Sequence, residues 1–377
     1  MQNRNAGVDL LRCVSMGMVL VLHLMLNSGS LGAHTVFSPE YYTVWTLEIL
    51  AYGAVDIFAL ISGYVGGGRG VRFSNLIYLW LTALVLGLTV TVFFRFTAPN
   101  SYVVLPGSRF SPWIQALCPL FTGTYWFLNA YFLMFLFLPV VNAGIAALSG
   151  RALLFVCAGL YLAVCGLNMA GYDDPLRVAH GYSAVWLLAL YVFGAALKKT
   201  GFLHRAPKSL LLLGYFFFSA LTLLSKHLLD VYTLQTRGVI ERDDYLIRYV
   251  SPTVVAGAVC LTVFFARLRI GPRLKRVIFF LAPSAFSVYL IHDHVIFRTL
   301  VMQKTFAFFT KLTPLGLVGA TVVSAAALYA LCTAVDLVRR GLFRLLRVKQ
   351  LLRSAEEKAR RVARRAVKPR PEGSESL

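Results

Sequence analysis

Stretches of about twenty mostly apolar residues recur along almost the whole chain, and this recurrence rules out most folds. A helix rises about 1.5 Å per residue, so about twenty residues cross a hydrocarbon slab about 30 Å thick. Ten such stretches are read as helices, over 8–28, 45–66, 75–96, 124–147, 151–170, 181–198, 208–227, 251–268, 277–301 and 314–338. The 377 residues are 58% hydrophobic, above the roughly 45–50% apolar usage of soluble domains. The expected fold class is therefore all-α, a polytopic membrane bundle of about ten transmembrane helices. Connections are mostly short, so 1–338 is expected to form one transmembrane domain. A basic tail over 339–377 follows, expected to be amphipathic helix in part and then disordered.

Charge sets the expected orientation. Lys and Arg gather on the cytoplasmic side of membrane proteins. With both termini cytoplasmic, Arg4, Arg12, Arg69, Arg72, Arg151, the groups 198–208 and 267–276, and the tail from Arg339 all fall on that side. The outer loops carry most of the acids, as in Asp173-Asp174 and Glu241-Arg242-Asp243-Asp244, a mixed charge that suits a polar partner. A net charge of +21 arranged this way points to membrane lipids and not to nucleic acid. The tail has a Leu, Phe and Val stripe and is expected on the anionic inner leaflet, each Lys or Arg contributing about 1 kcal/mol. RNA binding by the tail is the alternative. The expected location is the cell membrane, multi-pass, as in a bacterial inner or plasma membrane, and homo-oligomer formation is left open.

Six cysteines, at 13, 118, 157, 165, 260 and 332, lie mostly within spans and show no CxxC spacing. Neither a disulfide framework nor a metal site is expected from them. The first apolar run lacks a small-residue cleavage site, so its helix is expected to be retained.

An ionisable side chain near mid-bilayer costs about 2.5–3.5 kcal/mol on insertion scales, so each one a span keeps is a functional candidate. In GVDLLRCVSMGMVLVLH, Gly7 to His23, Arg12 and His23 stand eleven residues apart. At about 100° and 1.5 Å per residue they lie within about 20° of each other around a helix and about 16 Å apart along it. One face carries both, and it must look into the bundle or a hydrated cavity. A neutral imidazole can take a proton near neutral pH, as a general base must, while arginine stays charged and grips phosphate or carboxylate in a fork. The plain alternative is that His23 completes a buried hydrogen bond and Arg12 snorkels to the headgroups.

The next span adds Glu48 and Asp56. A buried carboxylate needs a cationic or hydrogen-bonding partner, so Asp56 is expected to orient His23 or to pair with Arg12, in a catalytic or a purely structural role. A glycine run then leads into Arg69-Gly-Val-Arg72. Two arginines three apart can hold a polyphosphate from one side, or simply mark an inner loop. In SAFSVYLIHDHVIFRTLV, His292 and His294 would point about 200° apart on a helix, so at most one faces the cavity. Trp126, opening the fourth span, is either an interfacial anchor or a platform for stacking a sugar.

The Arg12 to His23 spacing within a GVDLLR opening is followed by VDIFALISGY at 55–64, Arg-x-x-Arg at 69–72, YWFL at 125–128 and SVYLIH at 287–292. In that order, and over the chain up to about residue 338, the sequence resembles the membrane-bound acyltransferase family 3, integral-membrane enzymes that acylate cell-surface glycans. The resemblance implies an O-acyltransferase. An acyl group, most commonly acetyl, would pass from cytoplasmic acyl-CoA to a hydroxyl of a cell-surface or lipid-linked saccharide. It implies His23 as the catalytic group, acting as base or as acyl carrier, with Arg12 as its positioning partner and Arg69 with Arg72 as the coenzyme A contact. Trp126 and His292 are assigned to substrate binding.

Acetyl-CoA is then a donor substrate, with no permanently bound cofactor; the saccharide acceptor and membrane lipids are the other partners. Relatives often carry a fused hydrolase-like domain where this chain has a basic tail, so a stand-alone form is expected. The competing class is a transporter of a glycan or small metabolite, whose polar residues would line a permeation path. The internal repeats and interrupted helices typical of that class are not evident in the sequence.

Overall fold

The computed structural model describes residues 4–98, 110–170, 174–240 and 246–367. Asp173, Glu241, Arg242, Asp243 and Asp244, the stretch 99–109, and the tail beyond 367 lie outside the described residues. Among the described residues every regular element is helical. Seven helical segments are long and apolar enough to cross a membrane, and the chain is a multi-pass helical bundle.

Helix α1 (Ala6–Asn27) starts where the Asn5 side chain accepts hydrogen bonds from the Gly7 and Val8 amides. Asp9 sits in its first turn, where the helix dipole favours a carboxylate. Its Val8, Leu11, Met16, Leu20 and Leu24 are all buried. The helix lies at the centre of the bundle, packed against α2 (Pro39–Tyr52), α3 (Ala54–Gly66), α9 (Pro252–Ala266), α10 (Pro272–Leu281), α11 (Ala285–His292) and α12 (Pro314–Leu345). The remaining principal helices are α4 (Phe73–Thr97), α5 (Trp126–Ala147), α6 (Gly150–Tyr161), α7 (Ala184–Thr200), α8 (Lys208–Arg237) and, after α12, α13 (Val348–Val367).

The tightest crossing joins α3 to α7. A Cβ on Gly63 would lie 1.8 Å from the Tyr191 carbonyl oxygen, and one on Gly194 would lie 2.0 Å from that of Leu60. Small residues facing each other let two backbones meet where lipid supplies no hydrophobic drive for association. Helix α8 is the opposite case. It is 30 residues long, and side chains such as Leu213, Phe216, Phe217 and Leu224 are exposed, forming an apolar outer surface.

The ten expected stretches each fall on helix, but three are shorter than a full span. Two are the apolar segments Gly150–Gly166 and Pro252–Ala266, and the third is α7. Local signals set these lengths: Ser183 caps the start of α7, and Gly201 ends it in a left-handed conformation. The stretch 277–301, expected as one helix, is broken. Pro283 sits in a 3-10 turn between α10 and α11, α11 stops at His292, and a π turn follows over Arg298–Met302. A non-helical backbone at this depth is tolerated where protein or a cavity surrounds it.

Candidate active site

Three connected cavities run alongside α1. A basic cavity is lined by Arg4, Arg12, Asn75 and Lys349 among others. A smaller central cavity is lined by Met16, Val19, His23, Val55 and Tyr289 among others. An aromatic cavity follows, walled by Trp45, Tyr52, Trp126, Tyr182 and Tyr249, with Asn27, Glu48, Asp293 and Arg298 among its polar groups. Phe58, Phe127 and Phe286 line both the basic and the central cavity. His23, Leu22, Trp126 and Tyr249 line both the central and the aromatic one. His23 thus stands at a junction, reached from Arg12 on one side and from the aromatic cavity on the other.

Its protonation pattern follows from its partners. His292 Nδ1 lies 2.6 Å from the Val288 carbonyl oxygen, which only accepts, so the His292 proton is on Nδ1. The His292 Nε2 lone pair then accepts from His23 Nδ1, 2.9 Å away. The proton of a neutral His23 is therefore on Nδ1, which leaves its Nε2 as the basic atom. Asp293 Oδ1 lies 3.8 Å from His23 Nδ1 and 3.3 Å from Arg298 Nη1, placing a carboxylate where an imidazolium would form. The Asn27 side chain donates to the His23 carbonyl at 2.7 Å and fixes the last turn of α1. His294 turns elsewhere: its Nδ1 accepts from the Ile296 amide, and Nε2 faces Thr91 Oγ1 at 3.3 Å.

Arg12 is held at 2.5 Å by Asp9 Oδ1, and Arg4 pairs with the other oxygen of the same carboxylate. Asp9 is buried, whereas the Arg12 side chain keeps 31% exposure on the cavity wall. Arg69 and Arg72 are exposed and are not among the residues lining that cavity, although Asn75 and Leu76, just beyond them, are. Their loop is anchored by Asn142 of α5, which accepts from the Gly68 amide at 3.1 Å and donates to the Arg69 carbonyl at 2.8 Å. Trp126 packs on Tyr249 at 6.0 Å and 24°, and on Tyr182 at 4.6 Å, presenting a layered aromatic wall.

Asp56 requires a correction. It neither orients His23 nor pairs with Arg12, since those roles fall to His292 and Asp9. Asp56 lies in the first turn of α3, fully buried, and accepts from Trp186 Nε1 of α7 at 3.2 Å. Its face of α3 is the one applied to α7, so it belongs to that crossing, and it is not among the residues lining the three cavities.

Sequence reasoning did not single out Asp9, although it lies three residues before Arg12, the spacing of neighbours on a helix. It also gave no site role to Arg4, Lys349, Arg298, Tyr182 or Tyr249. Only the fold brings those residues to the cavities.

No curated protein and no solved structure matches this chain. The family model described as an acyltransferase domain matches residues 5–333, a stretch that holds Arg12, His23, the 69–72 loop, Trp126 and His292. The chain belongs to acyltransferase family 3.

Proposed function

We propose that the protein is an O-acyltransferase of the cell membrane that moves an acyl group, most simply acetyl, from acyl-CoA to a hydroxyl of a cell-surface or lipid-linked saccharide. The observation that carries this reading is the place of His23, with its Nε2 as the basic atom, where the central and aromatic cavities meet, the central one sharing the Phe58, Phe127 and Phe286 wall with the basic cavity. The polyanionic donor suits the basic cavity, and its thioester arm passes the Phe58, Phe127 and Phe286 wall. The saccharide suits the aromatic cavity, where flat rings and carboxylates are the groups that bind sugars.

In the direct form, His23 Nε2 takes the hydroxyl proton as the acceptor oxygen attacks the thioester carbonyl. The C–O bond forms, the C–S bond breaks, and the proton passes to the departing thiolate. In the covalent form, Nε2 itself attacks the carbonyl and the C–S bond breaks, releasing the thiolate; the hydroxyl oxygen then attacks the acyl-imidazole, the N–C bond breaks to free the ring, and the hydroxyl proton passes to the thiolate. In both, positive charge on the ring falls beside Asp293. Arg12, held by Asp9, lies on the donor side.

Linked cavities also suit a permeation path for a glycan or small metabolite, and the break of the 277–301 helix is a feature transporters share. Purified protein in vesicles, given acetyl-CoA labelled in the acetyl group, separates the two: an acyltransferase places label on the glycan, and a carrier moves glycan without it. His23→Ala should remove at least about 10²-fold of the transfer rate. Label incorporation at the wild-type rate in that variant would remove His23 from the chemistry.

A further inference from the structure

The basic tail helix is docked on the loop that carries Arg69 and Arg72. Helix α4 begins after Arg72, which supplies no side-chain cap. Its first amides are satisfied from 282 or more residues away: Glu356 of α13 accepts from the Phe73 amide at 3.0 Å and from the Ser74 amide at 3.2 Å. Arg360 donates to the Val71 carbonyl at 2.5 Å and grips Glu356 at 2.7 Å, so one ion pair one turn apart clasps three backbone groups, those of Val71, Phe73 and Ser74. Asn142 holds the other flank of the same loop. Two turns before Glu356 on α13, Lys349 lines the basic cavity with Arg4 and Arg12. Those two arginines share the Asp9 carboxylate, whereas Lys349 brings a positive charge from a different element.

We infer that α13 is part of the donor site: the Glu356–Arg360 clasp seats the tail helix so that Lys349 binds a phosphate group of the donor, while the same clasp holds the Arg69–Arg72 loop in shape. This rests on the reading of acyl-CoA as donor. Lys349 is a binding residue in this scheme, and Glu356, Arg360 and Asn142 are positioning residues. Lys358, exposed on the same helix and away from the cavity lining, provides a charge-matched control.

The test uses full-length protein in discs of phosphatidylcholine, with acetyl-CoA compared against S-acetyl-pantetheine, which keeps the thioester arm and lacks the phosphates. Lys349→Ala should raise KM for acetyl-CoA about five- to tenfold, as expected for one charge-assisted phosphate contact, with little change in kcat. It should leave KM for S-acetyl-pantetheine unchanged. Glu356→Ala should reproduce the KM effect through lost seating, and Lys358→Ala should change KM less than about twofold. Melting temperature, read on each variant, separates seating from misfolding, and Lys349 is exposed enough that its replacement leaves the fold intact.

If the wild type neither binds nor uses acetyl-CoA, the donor reading fails and the inference with it. If the wild type uses acetyl-CoA and Lys349→Ala is indistinguishable from it, the inference alone is overturned. Equal effects of Lys349→Ala and Lys358→Ala, or effects seen only when anionic lipid is added, would assign the helix to general surface charge and overturn it as well.

Discussion

His23 Nδ1 stands 2.9 Å from His292 Nε2, and the second imidazole is in turn fixed by the Val288 carbonyl, so a backbone oxygen determines which nitrogen of the first ring is basic. His292→Ala should therefore leave His23 in place but free to adopt either tautomer and to rotate. The expected loss in kcat is about 10-fold to 100-fold, smaller than for His23→Ala, with the donor KM nearly unchanged. Labelled-acetyl transfer under saturating donor measures it. An equal collapse of both variants would give His292 a direct part in the chemistry.

On the proposed acyl-CoA reading, the ring wall between the basic and central cavities is the place where acyl length would be selected. Phe286 lies in both linings, and the central cavity is the smaller of the two. Phe286→Ala should widen the passage and shift the preference from acetyl toward butyryl or longer donors by about tenfold in relative kcat/KM. A competition assay read by mass spectrometry of the product checks this. An unchanged acyl preference would place the length limit elsewhere.

Gly63 and Gly194 face each other across α3 and α7 with no room for a side chain. Gly63→Val should force the two backbones apart and abolish a stable folded form, costing more than about 3 kcal/mol. Gly144, with open space around its Cβ position, should accept alanine with little effect. Monodispersity in detergent and melting temperature of the two variants give the comparison.

Glu356 predicts an insensitivity. Burial pushes its carboxyl upward, but the hydrogen bonds from Ser74, Arg360 and Phe73 outweigh that and hold it at about 2. A carboxylate depressed in the folded state contributes stability that is fully present above its unfolded value of about 4.3 and is lost as pH falls through the folded one. The clasp should thus stay intact across an assay range of about pH 5–8. Glu356→Gln should lower activity without changing the shape of the pH profile. An acid limb near pH 6 that disappears in this variant would contradict the assignment.

Much of the fold was legible because apolar length is a strong signal: all ten stretches fall on helix, and the Arg12 and His23 face of α1 borders the cavities as its spacing required. What failed had local causes. The break at Pro283 and the stop at His292 lie inside a stretch whose apolar residues outweigh its few polar ones, so average hydropathy extended the helix through them. Asp56 was misassigned because a buried carboxylate advertises a partner without naming it, and an indole N–H serves as well as a guanidinium. Of the aromatic wall only Trp126 was named; Tyr182 and Tyr249 come from two other segments, and no periodicity links them to it.

The ion pairs at the start of α1 are all local, joining Asp9 to residues within five positions of it, whereas the histidine contact at its far end spans 269 residues. Helix α1 can therefore settle two guanidiniums against one carboxylate, leaving a single net positive charge, without help from any other segment. Its other end acquires its partner only when α11 is in place. A fragment ending before α11 would keep the arginine pair but lack the contact that sets the His23 tautomer.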